Sequence, residues 1–199
     1  MIPVGDVELI LASGSRYRAE LLARVAPGFR QVSAQVDETP RPDEPALELV
    51  ARLARAKAEA VAAAHPGSVV IGSDQVAELD GAIVGKPGTP AAASAQLAAA
   101  SGRTVAFHTG LCVIDARHVP ARHHATIDTT HVTFRSLDAA QIARYLQREP
   151  ALDCAGSFKA EGLGIALFER IAADDPTALI GLPLIALCRL LAAIGVAVI

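Results

Sequence analysis

The sequence of 199 residues has few aromatic side chains, no paired cysteines and no long apolar segment. Aromatic residues make up only 4% of the chain, and tryptophan is absent. Cys112, Cys154 and Cys188 are odd in number and lack the paired spacing typical of a disulfide framework or a zinc site. Pro, Gly or Ser interrupts every long charge-free segment, which excludes a membrane-spanning run of about 20 apolar residues. We therefore expect a cytoplasmic protein that makes no use of a membrane.

The chain also has no excess of positive charge. Eighteen Lys and Arg residues stand against 21 Asp and Glu residues, which gives a net charge of −3. This balance predicts no general attraction for a nucleic acid polymer, so an anionic ligand would need a local basic cluster. The first residues include Asp6 and Glu8 and no basic segment, and they do not resemble a secretory signal.

The spacing of the apolar residues along the chain predicts an α/β fold in one domain over 1–199. Short apolar runs at 7–13 and 69–73 indicate buried strands. Apolar residues at intervals of three or four predict an amphipathic helix over 46–64. Further helices are predicted over 17–25, 90–101, 137–148 and 183–194, further strands over 104–115, 125–134 and 165–171, and a hairpin over 76–84 with its turn at Asp80-Gly81. Helices between strands, with a hairpin, favour a mixed sheet.

Two polar clusters precede the first long helix. Ser13, Ser15 and Arg18 surround a glycine turn at a helix start, which suits either a phosphate-binding turn or a capped helix with solvated arginines. Asp37 and Glu38 lie in a proline-rich loop, where they are either metal or water ligands or an ordinary solvated acidic loop.

Two more clusters lie next to predicted strands. Asp74 comes directly after a buried strand and is followed by Gln75; its carboxylate is costly there unless it faces a cleft, binds a ligand or caps the next turn. The segment 155–164 holds three glycines around Lys159 and Glu161, which would allow close approach of a ligand but is a weak signal by itself.

Together and in this order, these clusters resemble the Maf family of nucleoside triphosphate pyrophosphatases. The matching segments are LASGSRYRAELL at 11–22, VDETP at 36–40, ARAKAEAV at 54–61, IGSDQV at 71–76, GKP at 85–87, AGSFKAEGLGI at 155–165 and GLPLIALCRLL at 181–191. The resemblance covers nearly the whole chain. It implies an elongated mixed sheet flanked by helices, in two lobes with a central cleft, similar to inosine triphosphate pyrophosphatases.

The resemblance also implies a reaction. The family hydrolyses a nucleoside triphosphate between its α and β phosphates with a divalent cation, Mg²⁺ or Mn²⁺. Asp74 matches the proton acceptor, and Glu38 and Asp74 match the metal-binding carboxylates. The substrate-binding residues that the resemblance implies, apart from those facing the base, are Ser13, Ser15, Arg18, Lys57, Gln75, Lys86 and Lys159. Lys57 lies on the apolar side of its predicted helix, which favours an inward role.

The combination of Tyr17, Gln75 and Glu161 is similar to the branch of the family that acts on 7-methyl-GTP. Tyr17 replaces an arginine and Glu161 replaces a glutamine that the thymidine and uridine triphosphate branch carries, while Arg16 replaces the usual proline. A methylated guanine is cationic and suits an aromatic face, and a carboxylate can accept from its N1–H and amine. The alternatives are a pyrophosphatase for UTP, dTTP or another modified nucleotide, and a non-enzymatic regulator of cell division. Family members are often homodimers, so a second copy is a possible partner.

Overall fold

The computed structural model describes residues 1–199 and contains five α-helices and nine β-strands. The helices are α1 (Arg16–Leu22), α2 (Ala46–Ala62), α3 (Pro90–Ala100), α4 (Ala139–Arg148) and α5 (Leu184–Ala193). The strands are β1 (Ile2–Pro3), β2 (Leu9–Leu11), β3 (Arg30–Gln31), β4 (Val69–Leu79), β5 (Ala82–Val84), β6 (Thr104–Asp115), β7 (Arg122–Phe134), β8 (Phe168–Ala172) and β9 (Val196–Ala197). Short 3-10 helices lie at Val4–Asp6, Ala155–Ser157, Leu163–Leu167 and Ala178–Ile180.

Seven of the strands form one mixed sheet, which confirms the predicted α/β class. The strand order is β3-β2-β4-β6-β7-β8, and β5 pairs with β4. β2 is parallel to both β3 and β4, whereas β4 with β5 and β7 with β8 are antiparallel. β1 and β9 form a separate parallel pair. No helix is both long enough and apolar enough to cross a membrane.

The chain divides into two compact units, in agreement with the two lobes that the family resemblance implies. The first unit comprises Met1–Asp74, Thr109–Asp128 and Asp175–Ile199, and the second comprises Gln75–His108 and Thr129–Asp174. Strands β4, β6 and β7 contribute residues to both units. That the whole chain forms a single domain stays a prediction.

In the first unit, both faces of β2 are covered, as its uninterrupted apolar sequence predicts. Leu9 and Leu11 belong to a buried cluster that includes leucines of α1 and α5. Ile10, between them, belongs to a second buried cluster that includes Ala54, Ala58 and Val61 of α2. Successive side chains of a strand point to opposite faces, so β2 lies between α1 and α5 on one side and α2 on the other.

The scarce aromatic residues are concentrated in the second unit. Phe158 lies edge-to-face against Phe107, Phe134 and Phe168, with ring centroids 4.7 to 5.7 Å apart. Phe134 makes the same kind of contact with Phe168 at 5.2 Å. Such edge-to-face pairs each add about 1 kcal/mol beyond the burial of their surface. Phe158 therefore holds the segment 155–164 against this core.

The predicted hairpin is confirmed, and one predicted strand is partly wrong. Asp80 and Gly81 have φ values of +49° and +81°, as a tight two-residue hairpin turn requires. The strand predicted over 165–171 begins only at Phe168, because Leu163–Leu167 forms a 3-10 helix. The amide N–H groups of Leu163 and Gly164 donate to the side chain of Glu149 instead of a neighbouring strand.

Candidate active site

Two glycines allow α2 to lie directly on the sheet of the first unit. A Cβ atom added to Gly72 in β4 would lie 2.2 Å from the carbonyl oxygen of Ala54 and 2.8 Å from the amide nitrogen of Ala58. A Cβ atom added to Gly110 in β6 would lie 2.6 Å from the carbonyl oxygen of Val50. Asp74 is two residues beyond Gly72, so it projects from the same face of β4, toward α2.

Lys57 joins two carboxylates in the space beneath α2. Its Nζ lies 2.6 Å from Oδ1 of Asp74 and 2.7 Å from Oε1 of Glu38. Lys57 and Asp74 are each only 7% exposed, whereas the side chain of Glu38 is 55% exposed. A buried charge needs such partners, because burial removes the water that would otherwise stabilise it. An ammonium has three N–H donors, and these carboxylates account for two of them.

The turn after β2 holds Arg18 in a fixed position. Oγ of Ser15 accepts from the amide of Arg18 and caps α1, and Oγ of Ser13 accepts from the amide of Ser15 at 3.2 Å and from Nη1 of Arg18 at 3.3 Å. Nε of Arg18 donates to the carbonyl of Gly181 at 2.8 Å. The hydroxyl of Ser73 donates to the same carbonyl at 3.0 Å. Arg18 is therefore oriented before any ligand is present.

The charges of this cluster balance one another. Burial lowers the pKa of Arg18, and the negative charges of Asp74 and Glu38 oppose that shift. An arginine nevertheless stays protonated at physiological pH because its ordinary pKa is so high. Arg18 and Lys57 thus supply two positive charges next to the two negative charges of Asp74 and Glu38. The four groups have no net charge, so a polyphosphate would need further positive charge to bind here.

Tyr17 faces a cation in this structure. Its side chain is half-buried, and the guanidinium carbon of Arg16 lies 4.8 Å from the centre of its ring. Nη2 of Arg16 also donates to the Tyr17 hydroxyl at 3.0 Å. The residue that stands in place of the family's usual proline therefore contacts the predicted base-stacking residue.

The remaining predicted site residues belong to the second unit. Gln75 follows Asp74 along β4 and is half-buried, and alternation along the strand turns it to the opposite face. Lys86 is exposed just after β5. Lys159 is half-buried and Glu161 is exposed, and both lie between the 3-10 helices Ala155–Ser157 and Leu163–Leu167.

Sequence reasoning assigned no role to three residues that shape the site, although they lie in segments it singled out. Gly72 sets the approach of α2, the hydroxyl of Ser73 donates to the carbonyls of Gly110 and Gly181, and Gly181 receives Arg18. Gly72 and Ser73 stand immediately before Asp74 in the sequence, so their position was a usable signal. Gly181 has a φ of +119°, a backbone conformation that favours glycine.

The fold and this cluster define an α/β protein with hydroxyls, cations and carboxylates gathered just after the end of β2 and midway along β4. Asp74 lies within β4, whereas the sequence predicted that the strand ends before it. A cluster of charged groups with a shifted pKa among them is typical of sites that bind charged small molecules. Residues 8–194 match the family described as Maf-like protein, and the chain belongs to this family.

Several curated relatives span nearly the same length. The chain is 57% identical over 187 residues to a 7-methyl-GTP pyrophosphatase of Xanthomonas oryzae pv. oryzae, covering 94% of this chain and 96% of the relative. It is 53% identical over 194 residues to the 7-methyl-GTP pyrophosphatase of Bordetella pertussis, covering 98% and 96%. It is 54% identical over 183 residues to that of Cupriavidus metallidurans, covering 92% and 91%. Among solved structures, the Ham1 protein of Staphylococcus aureus matches with a TM-score of 0.47 and 18% identity, over 64% of this chain and 71% of that one.

Proposed function

We propose that this protein is a nucleoside triphosphate pyrophosphatase that hydrolyses 7-methyl-GTP to 7-methyl-GMP and pyrophosphate. The observation that carries the proposal is the buried Lys57, which joins Asp74 and Glu38 at 2.6 and 2.7 Å. Relatives at 53–57% identity that carry the name 7-methyl-GTP pyrophosphatase support the choice of reaction and nucleotide. Water attacks the α-phosphorus, the bond from that phosphorus to the α,β-bridging oxygen breaks, and pyrophosphate leaves.

Asp74 is the general base that takes a proton from the attacking water. Lys57 donates to Oδ1 at 2.6 Å and fixes the carboxylate, which leaves Oδ2 as the oxygen that accepts from the water molecule. The ion pair thus orients the base before the substrate arrives. A positioned base of this kind contributes typically about 10²- to 10⁴-fold to a rate.

Glu38 and Asp74 are the residues that would hold a divalent cation. They fit this role because both already converge on one positive charge, the Lys57 ammonium, and Glu38 is open to solvent. The structure has no cluster of three or more His, Cys, Asp or Glu side chains that could hold a metal. Two carboxylates, with substrate phosphates and water, are the ligand set that Mg²⁺ ordinarily takes. The cation supplies positive charge to a triphosphate that the neutral cluster would otherwise bind weakly.

The phosphates bind to the cationic and hydroxyl groups of the cluster. Arg18, Lys57, Ser13 and Ser15 supply donors from the first unit, and Arg18 already has its orientation fixed by Gly181 and Ser13. An arginine held in this way loses little conformational freedom when a phosphate arrives. Lys86 and Lys159 supply further positive charge to the phosphates, whereas Gln75 lies on the face of β4 opposite Asp74 and takes no part in this contact.

The base is recognised by Tyr17 and Glu161. The ring of Tyr17 already accepts the guanidinium of Arg16 at 4.8 Å, which supports its ability to stack against a cationic base. Glu161 accepts hydrogen bonds from guanine N1–H and the exocyclic amine, an arrangement that uracil and thymine do not offer.

The proposal is tested by measuring pyrophosphate release from 7-methyl-GTP, GTP, UTP and dTTP, each with Mg²⁺ or Mn²⁺ and after chelation by EDTA. We expect a preference for 7-methyl-GTP and loss of activity with EDTA. A preference for UTP or dTTP would reject the assigned nucleotide and keep the reaction class. Release from none of the four would favour a non-enzymatic role instead.

The role of Asp74 is tested by Asp74→Asn, which keeps size and shape but removes the base. We expect the rate constant kcat to fall by about 10²-fold or more. The thermal midpoint should fall too, because the buried Lys57 loses one of its two charged partners, so kcat is measured at a temperature where the variant is folded. Glu38→Gln tests the metal, with expected recovery at high Mn²⁺. Asp37→Asn is its matched control, because that neighbouring exposed carboxylate accepts from Thr39 in its own loop. Near-normal turnover of a folded Asp74→Asn variant shows that Asp74 is not the base.

A further inference from the structure

Glu149, the residue that ends α4, accepts three hydrogen bonds on one carboxylate. Its Oε1 accepts from the amide of Leu163 at 3.2 Å, and its Oε2 accepts from the amide of Gly164 at 3.0 Å. Its Oε2 also accepts from the hydroxyl of Tyr145 at 3.2 Å. All these groups belong to the second unit, and the carboxylate is half-buried. Bonds from backbone amides to an ionised carboxylate are among the stronger hydrogen bonds in proteins.

The glycines of the segment 159–164 allow it to lie directly on this carboxylate. A Cβ atom added to Gly162 would lie 2.2 Å from Oε1 of Glu149. A Cβ atom added to Gly164 would lie 2.4 Å from the carbonyl oxygen of Lys159, and the amide of Gly162 donates to that same carbonyl at 3.2 Å. The segment is therefore a closed turn, and Glu149 occupies the space that a side chain at Gly162 would need.

Tyr145 also holds the carboxylate in place, by donating to the same oxygen as the amide of Gly164. The phenol is buried and lies one helical turn before Glu149, and burial, together with the nearby charge of Glu149, raises the pKa of Tyr145. The hydroxyl therefore remains a donor throughout the physiological range. The amide of Glu149 also donates to the carbonyl of Tyr145 at 2.9 Å, so the backbone of Glu149 continues the last turn of α4.

The turn that Glu149 holds carries the two charged residues of the glycine-rich segment. Glu161 directly precedes Gly162, and Lys159 supplies the carbonyl that closes the turn. Only Gly162 separates Glu161 from Leu163, so we expect a shift of the amides of Leu163 and Gly164 to reach the backbone of Glu161. The side chain of Glu161 is exposed, so its position depends on its backbone.

We propose that Glu149 is a positioning residue for nucleotide selection: its carboxylate fixes the turn 159–164 and thereby the place of Glu161. Glu149 does not touch the substrate. This inference rests on the proposed function, since Glu161 reads the base there. It assigns Gly162 to the approach of a carboxylate of the protein, and Gly164 to the closure of the turn on the carbonyl of Lys159, rather than either glycine to the approach of a ligand.

The first test measures the turn without reference to any substrate. Amide hydrogen exchange is followed by NMR in wild type, Glu149→Gln and Glu149→Asp. Gln keeps one acceptor oxygen but places an NH₂ group against an amide N–H, so we expect exchange at Leu163 and Gly164 to rise by about tenfold or more. Asp is one methylene shorter and keeps the charge, so an intermediate rise is expected.

The second test measures selection. In Glu149→Gln we expect the ratio of kcat/KM for 7-methyl-GTP to that for UTP to fall by about tenfold, mainly through KM for 7-methyl-GTP, with partial recovery in Glu149→Asp. The matched control is Asp138→Ala, which removes the cap at the other end of α4, where Asp138 accepts from Gln141. It lowers the thermal midpoint but leaves both the exchange at 163–164 and the nucleotide ratio at their wild-type values.

The outcomes separate this proposal from the function on which it rests. Unchanged exchange in Glu149→Gln overturns the inference even when wild type hydrolyses 7-methyl-GTP. Faster exchange with an unchanged nucleotide ratio overturns it too, because the turn then does not govern selection. A wild type that prefers UTP overturns the base assignment, and with it the positioning role of Glu149, whatever the exchange shows.

Discussion

Replacing Gly72 with alanine tests whether the close approach of α2 creates the Lys57–Asp74 pair. The added Cβ would lie 2.2 Å from the carbonyl oxygen of Ala54, 2.8 Å from the amide nitrogen of Ala58 and 2.9 Å from its Cβ. Two of these atoms belong to the backbone of α2, so no side-chain rotation relieves the contact. The helix must move away from β4 by about 1 Å, since carbon and other heavy atoms normally approach to about 3.5 Å.

Both stability and catalysis should respond to this movement. Overpacking of a core costs typically about 1–3 kcal/mol, and a clash with helix backbone belongs at the upper end of that range. Lys57 moves with α2, which stretches its 2.6 Å contact with Asp74. A misplacement of about 1 Å at an active site can reduce turnover by about 10²-fold. We therefore expect a loss of about 3 kcal/mol in the free energy of unfolding and a roughly hundredfold loss of kcat.

Urea unfolding and pyrophosphate release measure these two effects. The matched control is Gly5→Ala, because nothing lies within 4 Å of a Cβ atom added at Gly5. That control should match wild type or exceed its stability by a few tenths of a kcal/mol, since alanine restricts the unfolded chain. The reasoning is refuted if Gly72→Ala unfolds at the same urea concentration as Gly5→Ala and hydrolyses nucleotide at the wild-type rate.

The two remaining predictions concern groups whose pKa the fold shifts. Arg117 donates to both oxygens of the buried Asp115, at 2.7 and 2.9 Å, and these bonds hold the pKa of that carboxyl below its ordinary 3.8. A lowered carboxyl pKa stabilises the fold above the ordinary pKa, and this contribution is lost as pH falls below it. Asp115→Asn should therefore cost about 2 kcal/mol at pH 7, and the difference in thermal midpoint from wild type should shrink at pH 3; an equal difference at both would contradict this. Burial raises the pKa of Cys154 to about 11, so its alkylation by iodoacetamide at pH 8 should be much slower than that of a cysteine peptide. Equal alkylation rates would contradict this prediction, because they would show that burial does not lower the thiolate fraction of Cys154.

Local patterns in the sequence predicted the elements whose boundaries depend on nearby residues. The helix over 46–64 begins at Ala46 as predicted and ends two residues early, at Ala62, since its apolar spacing and the flanking Pro45 act within a few residues. The turn at Asp80-Gly81 follows from residue types that tolerate positive φ. The strand predicted over 165–171 was partly wrong because its structure depends on a residue that is distant in the sequence. Its first half is drawn into a 3-10 helix by Glu149, which lies 14 and 15 residues from its partners Leu163 and Gly164.

Some features of the candidate site were likewise predictable from local sequence, and others depend on contacts between distant residues. Residue types at the ends of predicted strands predicted the turn at Ser13 and Ser15 and drew attention to Asp74. The acidic pair in the proline-rich loop drew attention to Glu38. The placement of Lys57 on the apolar side of its helix predicted an inward side chain. That Lys57 would join Asp74, 17 residues away, and also Glu38 depends on the packing of α2 over Gly72, which no local pattern encodes. The contact of Arg16 with Tyr17 was missed because it follows from side-chain geometry rather than spacing.

The buried charges of the first unit are better explained by ligand chemistry than by stability. Replacing a buried ion pair with apolar side chains of similar volume is often neutral or stabilising, because desolvation offsets most of the attraction. Lys57 is surrounded on α2 by Leu53, Ala54, Ala58 and Val61, all of them buried, so an apolar side chain would suit its position in the core. The chain instead places an ammonium there and holds it with Asp74 and with the exposed carboxylate of Glu38. A carboxylate that remains open to solvent stabilises a core poorly but can reach an incoming cation, and the proposed hydrolysis uses Glu38 in this way.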